Sequence, residues 1–333
     1  MSRPGAPVQT ERTLFAGRYE LLDLLARGGM GDIWRARHLP LDRIVAVKRL
    51  REVDADASKR LLNEARTLGQ LRHRAIVQVH DCGVDDAGAP FLVMELLEGQ
   101  SLAEHLAEHG RLGAVRAVRL LLPVLEGLIA AHDAGIVHRD LKPENIMLVP
   151  AAQGLTPVLV DFGIAHRRKS EQSRLTQVGT FVGTPAYMAP EQILGLVGDA
   201  RTDVWGLTTV IYEAASGSVP FSGETREELF RAVSFTPPPF PAHVPDLDGR
   251  LWAILMRGLC KLPEQRFASC LELERELRAW LTRHEQGGSP TLGDAPSDAA
   301  PQVKRTRASS DAPTKSATDL PMDTLIRGQR SKR

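Results

Sequence analysis

Apolar and polar positions alternate along residues 19–50, with a glycine-rich interruption at 28–31. The alternation predicts a strand, a turn, a second strand, and a third strand over 44–50. Residues 58–71 change period. Leu61, Leu62, Ala65, Leu68 and Leu71 recur at helical spacing, so a helix follows the strands. Two short apolar runs, 76–81 and 91–94, read as further strands. After Gly99 the period is helical again, and 115–132 is a long helix apolar enough to be buried on most sides. Further helices are predicted over 202–216, 225–233, 249–260 and 269–281. Strands thus cluster early and helices late. Such segregation predicts an α+β fold: a small β-rich lobe and a larger helical lobe with a cleft between them.

The flanks lack this pattern. Residues 1–18 hold Pro4, Gly5 and Pro7 and no clear period, which predicts a flexible leader. Residues 284–333 are small, polar and proline-rich, and end in a basic cluster of Arg327, Arg330, Lys332 and Arg333. Too little apolar surface is available there to offset ordering entropy, so a disordered tail is expected. Residues 19–283 form the patterned domain, with the small lobe over about 19–97 and the large lobe over about 98–283.

Composition narrows the function. The 333 residues carry 42 Lys+Arg against 41 Asp+Glu, a formal charge of +1, which gives no electrostatic case for a nucleic acid or an anionic membrane. Cys82, Cys260 and Cys270 are too few for a disulfide framework and point to a reducing compartment. The histidines read as too scattered for a metal site. The first residues have no apolar core for a signal peptide, and the apolar stretch 118–131 is broken by Pro123, Glu126 and Gly127. A cytoplasmic protein without a membrane span is expected.

The candidate chemistry starts at Ala26-Arg27-Gly28-Gly29-Met30-Gly31-Asp32-Ile33. Glycines let a backbone approach a phosphate. A strand follows the turn, whereas a dinucleotide-binding turn opens a helix. Alone, the segment reads first as a hairpin turn. Lys48 ends the apolar run Val45-Ala46-Val47, and a buried lysine needs a partner. Glu64 on the next helix can face the same interior, which predicts a Lys48–Glu64 ion pair. The run His138-Arg139-Asp140-Leu141-Lys142-Pro143-Glu144-Asn145 is denser in polar chemistry. Asp140 can accept a hydroxyl proton, Lys142 can neutralise a migrating phosphoryl group, and Asn145 offers oxygen to a hard cation. Asp161-Phe162-Gly163 follows the apolar strand Val158-Leu159-Val160 and places a carboxylate suited to Mg2+. Two strands ending in Asn145 and Asp161 are expected to bring two oxygen ligands to one cleft. Gly183-Thr184-Pro185-Ala186-Tyr187-Met188-Ala189-Pro190-Glu191 closes a segment rich in Thr and Arg.

These motifs in this order resemble the eukaryotic-like Ser/Thr protein kinases, most closely their bacterial branch, from about Tyr19 to about Arg283. The resemblance implies the bilobal protein-kinase fold with an ATP cleft, and transfer of the γ-phosphoryl of ATP to Ser/Thr hydroxyls of proteins. It implies Mg2+, with Mn2+ as a substitute. It places Gly28, Gly29 and Gly31 in the loop over the phosphates, with Ala26 standing where the family has its first glycine. Alanine restricts φ, so an effect on nucleotide affinity is expected there. Lys48 looks like the α/β-phosphate lysine and Glu64 like its partner. Ile33, Ala46, Met94, Glu95, Leu97 and Met147 fall on nucleotide-contacting positions, with Met94 as gatekeeper and 95–97 as hinge. Asp140 matches the catalytic base, Asn145 and Asp161 the metal ligands, and Lys142 and Thr184 the Ser/Thr-type partners of Asp140. Glu191 and Arg266 are expected to form a buried bridge, and Asp203 to anchor the catalytic-loop backbone. His138, Phe162, Leu68 and Val79 fall on the family's apolar spine. Arg139 matches the arginine that pairs with a phosphorylated activation-loop residue, which predicts autophosphorylation at Thr176, Thr180 or both, with a homodimer as one route. The alternative is a pseudokinase acting as a nucleotide-binding scaffold. It requires a damaged Lys48, Asp140 or Asp161, and all three are intact.

Overall fold

The computed structural model describes residues 14–28, 31–50, 55–152, 154–162 and 185–286, with the side chains at 55–57 and 60 excepted. Gly29, Thr176, Thr180, Thr184, residues 1–13 and residues 287–333 lie outside the described residues.

The small lobe is a six-stranded antiparallel sheet of order β1-β2-β3-β4-β6-β5. Its strands are β1 (Leu14–Phe15), β2 (Tyr19–Arg27), β3 (Gly31–His38), β4 (Arg43–Leu50), β5 (Val79–Val84) and β6 (Pro90–Glu95), with helix α1 (Ala55–Gln70) between β4 and β5. Sequence periodicity places the first strand at Tyr19, but Leu14 and Phe15 already pair with β2, and the Phe15 ring meets Phe91 edge-on at 5.1 Å. Period-two alternation decides what faces where. On β4, Val45 and Val47 pack with Tyr19, Ala36, Phe91 and Val93 on one face. Ala46 points the other way, against Met94, Val77 and Val158. Lys48 is two residues from Ala46 and shares its face, so an apolar strand delivers an ammonium group to the cleft.

The predicted strand at 76–81 is observed at Val79–Val84 instead. The apolar residues before it are claimed by the other lobe. Ile76 forms a parallel bridge to Leu159, Val77 N–H donates to Leu159 O at 2.9 Å, and Leu159 N–H donates to Ala75 O at 2.8 Å.

The large lobe opens with β7 (Gln100–Ser101), α2 (Leu102–His109) and α3 (Ala114–Asp133). It continues with β8 (Ile146–Ala151), β9 (Gly154–Leu159), α4 (Pro190–Ile193), α5 (Ala200–Ser216), α6 (Arg226–Phe235), α7 (Gly249–Gly258) and α8 (Cys270–Glu285). Short polar side chains start α2, α5, α6, α7 and α8. Ser101, Asp199, Thr225, Asp248 and Ser269 each accept a hydrogen bond from a first-turn amide. α3 buries Val118, Leu121, Leu122, Val124, Leu125 and Leu128 in the main core with α5 and α8 residues. Each such side chain contributes about 1.5–3 kcal/mol of apolar transfer. On the α3 surface, Glu126 accepts from Arg74 at 2.9 Å and also from Arg278 of α8. No helix among the described residues is long and apolar enough to cross a membrane.

Candidate active site

The loop from His138 to Asn145 hangs from one buried carboxylate. Asp203 lies in the first turn of α5, and α5 is buried along most of its length. Asp203 Oδ1 accepts from Arg139 N at 2.7 Å, and Oδ2 accepts from His138 N at 2.8 Å. His132 Nε2 adds a third contact at 2.7 Å. Arg139 needs such a hold. Its φ is +63°, and Asp161 has φ +56°. Left-handed backbone at a non-glycine residue costs about 1–3 kcal/mol and persists only where its surroundings fix it. The Arg139 carbonyl is held as well, by Gln192 Nε2 at 2.8 Å, and the Arg139 guanidinium reaches Gly198 O at 3.4 and 3.5 Å.

His138 joins this loop to the Asp161 segment. It is fully buried, its ring packs on Phe162 with centroids 4.6 Å apart, and burial pushes its imidazole pKa down against the pull of Asp203. The neutral ring donates from Nε2 to Val160 O at 3.1 Å and accepts at Nδ1 from Asp140 N at 3.3 Å. Val160 N in turn donates to Asn145 O at 2.9 Å. The sequence places Asn145 and Asp161 at two strand ends. The structure corrects this: Asn145 precedes β8 and Asp161 follows β9. β8 and β9 form an antiparallel hairpin, so the start of one strand lies beside the end of the other.

The polar side chains converge. Lys142 Nζ and Asn145 Nδ2 donate to Oδ2 of Asp140 at 2.8 and 3.0 Å, and Asn145 Nδ2 also reaches Asp140 O at 2.7 Å. Lys48 Nζ sits 2.7 Å from Asp161 Oδ1. The sequence reading pairs Lys48 with Glu64, which lies half-buried on α1; the structure brings Asp161 to the same ammonium.

The glycine hairpin closes by Gly28 N to Gly31 O at 2.9 Å and Gly31 N to Gly28 O at 3.3 Å. These two N–H groups are therefore engaged in the turn. A methyl group at Gly31 would lie 2.2 Å from Arg49 O, so glycine is required by the approach of β4. Ala26 pairs with Ile33 in extended backbone, and it is not among the non-glycine residues of positive φ. Alanine adopts extended backbone freely, so its restricted φ strains nothing in this hairpin. Behind the hairpin, Ala46, Met94, Val77 and Val158 form an apolar cluster with Ile33, Leu97, Val149 and Val160 against it. Met147 on β8 is half-buried and pairs with Val158. Glu95 uses its side chain locally, with Oε1 accepting from Gln78 N at 2.7 Å.

Further out, Arg266 and Glu191 meet through two bonds of 2.8 and 2.7 Å, both buried, with Thr202 Oγ1 donating to Glu191 at 2.9 Å. Sequence reading missed Glu213 on α5. Its carboxylate accepts from the Tyr187 hydroxyl at 2.6 Å, and burial pushes its pKa up, with Glu144 adding to the rise. Only α5's inward face signals this residue, and that signal reads as core.

Comparison with known proteins agrees with this geometry. The protein kinase domain family model matches residues 19–269. The chain is 38% identical over 285 residues to serine/threonine-protein kinase PknE of Mycobacterium bovis, covering 85% of this chain and 49% of that protein. It is 36% identical over 275 residues to the probable serine/threonine-protein kinase PknB of Corynebacterium glutamicum, covering 79% and 42%. It is 35% identical over 314 residues to serine/threonine-protein kinase pkn3 of Myxococcus xanthus, covering 91% and 57%. The chain thus spans about half the length of the curated relatives it matches. Among solved structures, Rad53 1–466 in complex with AMP-PNP shares the fold, with a TM-score of 0.66 and 23% identity over 80% of this chain and 66% of that one. With a strand-borne lysine, a loop-borne aspartate and the matched family model all in register, the chain belongs to the protein kinase domain family.

Proposed function

We propose that this chain is a serine/threonine protein kinase, transferring the γ-phosphoryl of ATP to Ser or Thr hydroxyls of proteins. The observation that carries the reading is the convergence of Lys142 and Asn145 on one oxygen of Asp140, at 2.8 and 3.0 Å, beside the Lys48–Asp161 pair. The naming of the relatives as serine/threonine-protein kinases supports the hydroxyl class.

The donor set suits a hard cation. The Asn145 amide nitrogen is engaged on Asp140, which leaves its oxygen, with the Asp161 carboxylate, as oxygen ligands for Mg2+ or Mn2+. When bound, the cation neutralises phosphate charge. Lys48 presents its ammonium to the phosphate oxygens from the cleft face of β4. Asp140 orients the acceptor hydroxyl and takes its proton as the new O–P bond forms and the bond to the departing ADP oxygen breaks. Lys142 offsets the charge on the migrating group. Ile33, Ala46, Met94, Leu97 and Met147 supply the apolar walls for adenine, and the backbone of 95–97 reads its edge. Phosphorylation of Thr176 or Thr180, in one copy by another, would place charge within reach of Arg139. A scaffold without catalysis finds no damaged position among Lys48, Asp140, Asn145 and Asp161.

The test is incubation of the full chain with ATP, Mg2+ and an acceptor protein, with phosphosites read by mass spectrometry. Phosphoserine and phosphothreonine are expected from the wild type and their loss from Asp140→Asn. Equal transfer by both proteins, or phosphotyrosine as the sole product, would overturn the reading.

A further inference from the structure

The peptide plane between Arg139 and Asp140 is held at both of its polar groups. Its N–H belongs to Asp140 and donates to His138 Nδ1 at 3.3 Å, a long bond. Its carbonyl belongs to Arg139 and accepts from Gln192 Nε2 at 2.8 Å, a short one. A rigid peptide plane turns as a unit, and a turn here changes ψ of Arg139 and φ of Asp140 together. It would shift the base from which the Asp140 carboxylate is aimed. Arg139, at φ +63°, is the residue that such a turn relaxes.

Gln192 is equipped to prevent that turn. Its Oε1 accepts from Ala189 N at 3.0 Å. An N–H can only donate, so this bond fixes which end of the amide is oxygen and leaves the NH2 for the Arg139 carbonyl. The short helix α4 that carries Gln192 is firmly seated. Ala189 and Ile193 on either side are buried with Trp205 and Phe221, and the neighbouring Glu191 is bound to Arg266 at 2.8 and 2.7 Å. Asp203 already holds His138 N and Arg139 N. A carboxylate has no proton to donate, so the Arg139 carbonyl needs a different side chain. Glutamine is suited to both tasks, because it accepts from Ala189 and donates to Arg139. The two bonded residues stand 53 positions apart, which is why no local pattern in the sequence singles out Gln192.

We propose that Gln192 is a positioning residue for phosphoryl transfer: it locks the peptide ahead of Asp140 and ties the aim of that carboxylate to residues 185–191. The inference rests on the kinase reading above, in which Asp140 takes the acceptor proton. Gln192→Glu keeps the shape and the bond to Ala189 N, but sets an acceptor against the Arg139 carbonyl. Gln192→Met keeps the length and makes neither bond.

The test is steady-state transfer from ATP to an acceptor protein by the full chain, comparing wild type, Gln192→Glu, Gln192→Met and Asp140→Asn, with thermal melting and nucleotide titration of each. Both Gln192 variants should lose about 5- to 150-fold in kcat. Their KM for ATP should hold, because the Lys48–Asp161 pair is untouched. Gln192→Glu should melt close to wild type. A merely structural role predicts the reverse, a lower melting temperature with kcat per folded chain unchanged, and that result would overturn the proposal. So would a kcat for Gln192→Glu within about twofold of wild type beside an inactive Asp140→Asn, an outcome that leaves the kinase reading standing. A folded wild type that transfers no phosphate would overturn both.

Discussion

Replacing Asp203 by Asn tests how the Asp140 carboxylate, the proposed proton acceptor, is aimed. Asp203 takes bonds from His138 N, Arg139 N and His132 Nε2 at 2.8, 2.7 and 2.7 Å. Asparagine keeps one of the two oxygens. If that oxygen meets His138 and His132, the new NH2 faces the Arg139 N–H, donor against donor. A buried amide left without an acceptor costs about 1–3 kcal/mol. Arg139 also sits at φ +63° and loses the bond that holds it there. Asp140 is the next residue, so realigning it subtracts from transition-state stabilisation. At about 1.4 kcal/mol per decade, the loss in kcat is about 5- to 150-fold. Lys48 and Asp161 meet without help from Asp203, so the KM for ATP should hold. Steady-state phosphoryl transfer at varied ATP, with thermal melting to check the fold, measures both. A folded Asp203→Asn protein with kcat within about twofold of wild type would refute the reasoning.

Arg266→Met strands Glu191 and leaves the carbonyls of Arg201, Cys260 and Lys261 without their donor, which should cost about 3–5 kcal/mol in urea unfolding; an unchanged midpoint contradicts it. Gly31→Ala drives a methyl group against Arg49 O and should raise the KM for ATP, whereas Gly28→Ala, with 3.4 Å to its nearest contact, should be milder; nucleotide titration of both variants decides it. A Thr176→Ala/Thr180→Ala double variant should lose phosphate content and activity together, and undiminished activity counts against activation at these residues. Glu213 has its pKa raised from 4.5 by burial, so the folded state holds its proton more tightly and stability falls as pH climbs from 4.5 through the raised value. Glu213→Gln should therefore raise the melting temperature at pH near 7.5, with the gain vanishing in acid below the carboxylate's unperturbed 4.5, and an equal gain at both ends of the range would sink the assignment.

Residues whose chemistry and neighbours lie close in sequence were legible before any coordinates. Lys48, Asp140, Asn145 and Asp161 each stand beside a strand or turn that declares itself by period. Asp203 and the Glu191–Arg266 pair were legible through motif order. What escaped depends on tertiary pairing. That Asp161 reaches Lys48 is set by the β8–β9 hairpin, which brings it from another lobe, a meeting that sequence spacing does not show. Leu14 and Phe15 carry too short a run to show alternation, and it is Phe91, distant in sequence, that the Phe15 ring packs against. The Tyr187–Glu213 contact joins two segments with no shared pattern. His105 and His109 have helical spacing, but spacing alone does not show that their rings stack.

The rungs between Leu159 and residues 75–77 have a mechanical consequence. That stretch belongs to the small lobe by chain order, yet its backbone is stitched to a strand of the large one, and Arg74 beside it is tied to Glu126. Were the sheet to rotate against the large lobe, this stretch would stay with Leu159 and the chain would have to bend on either side of it.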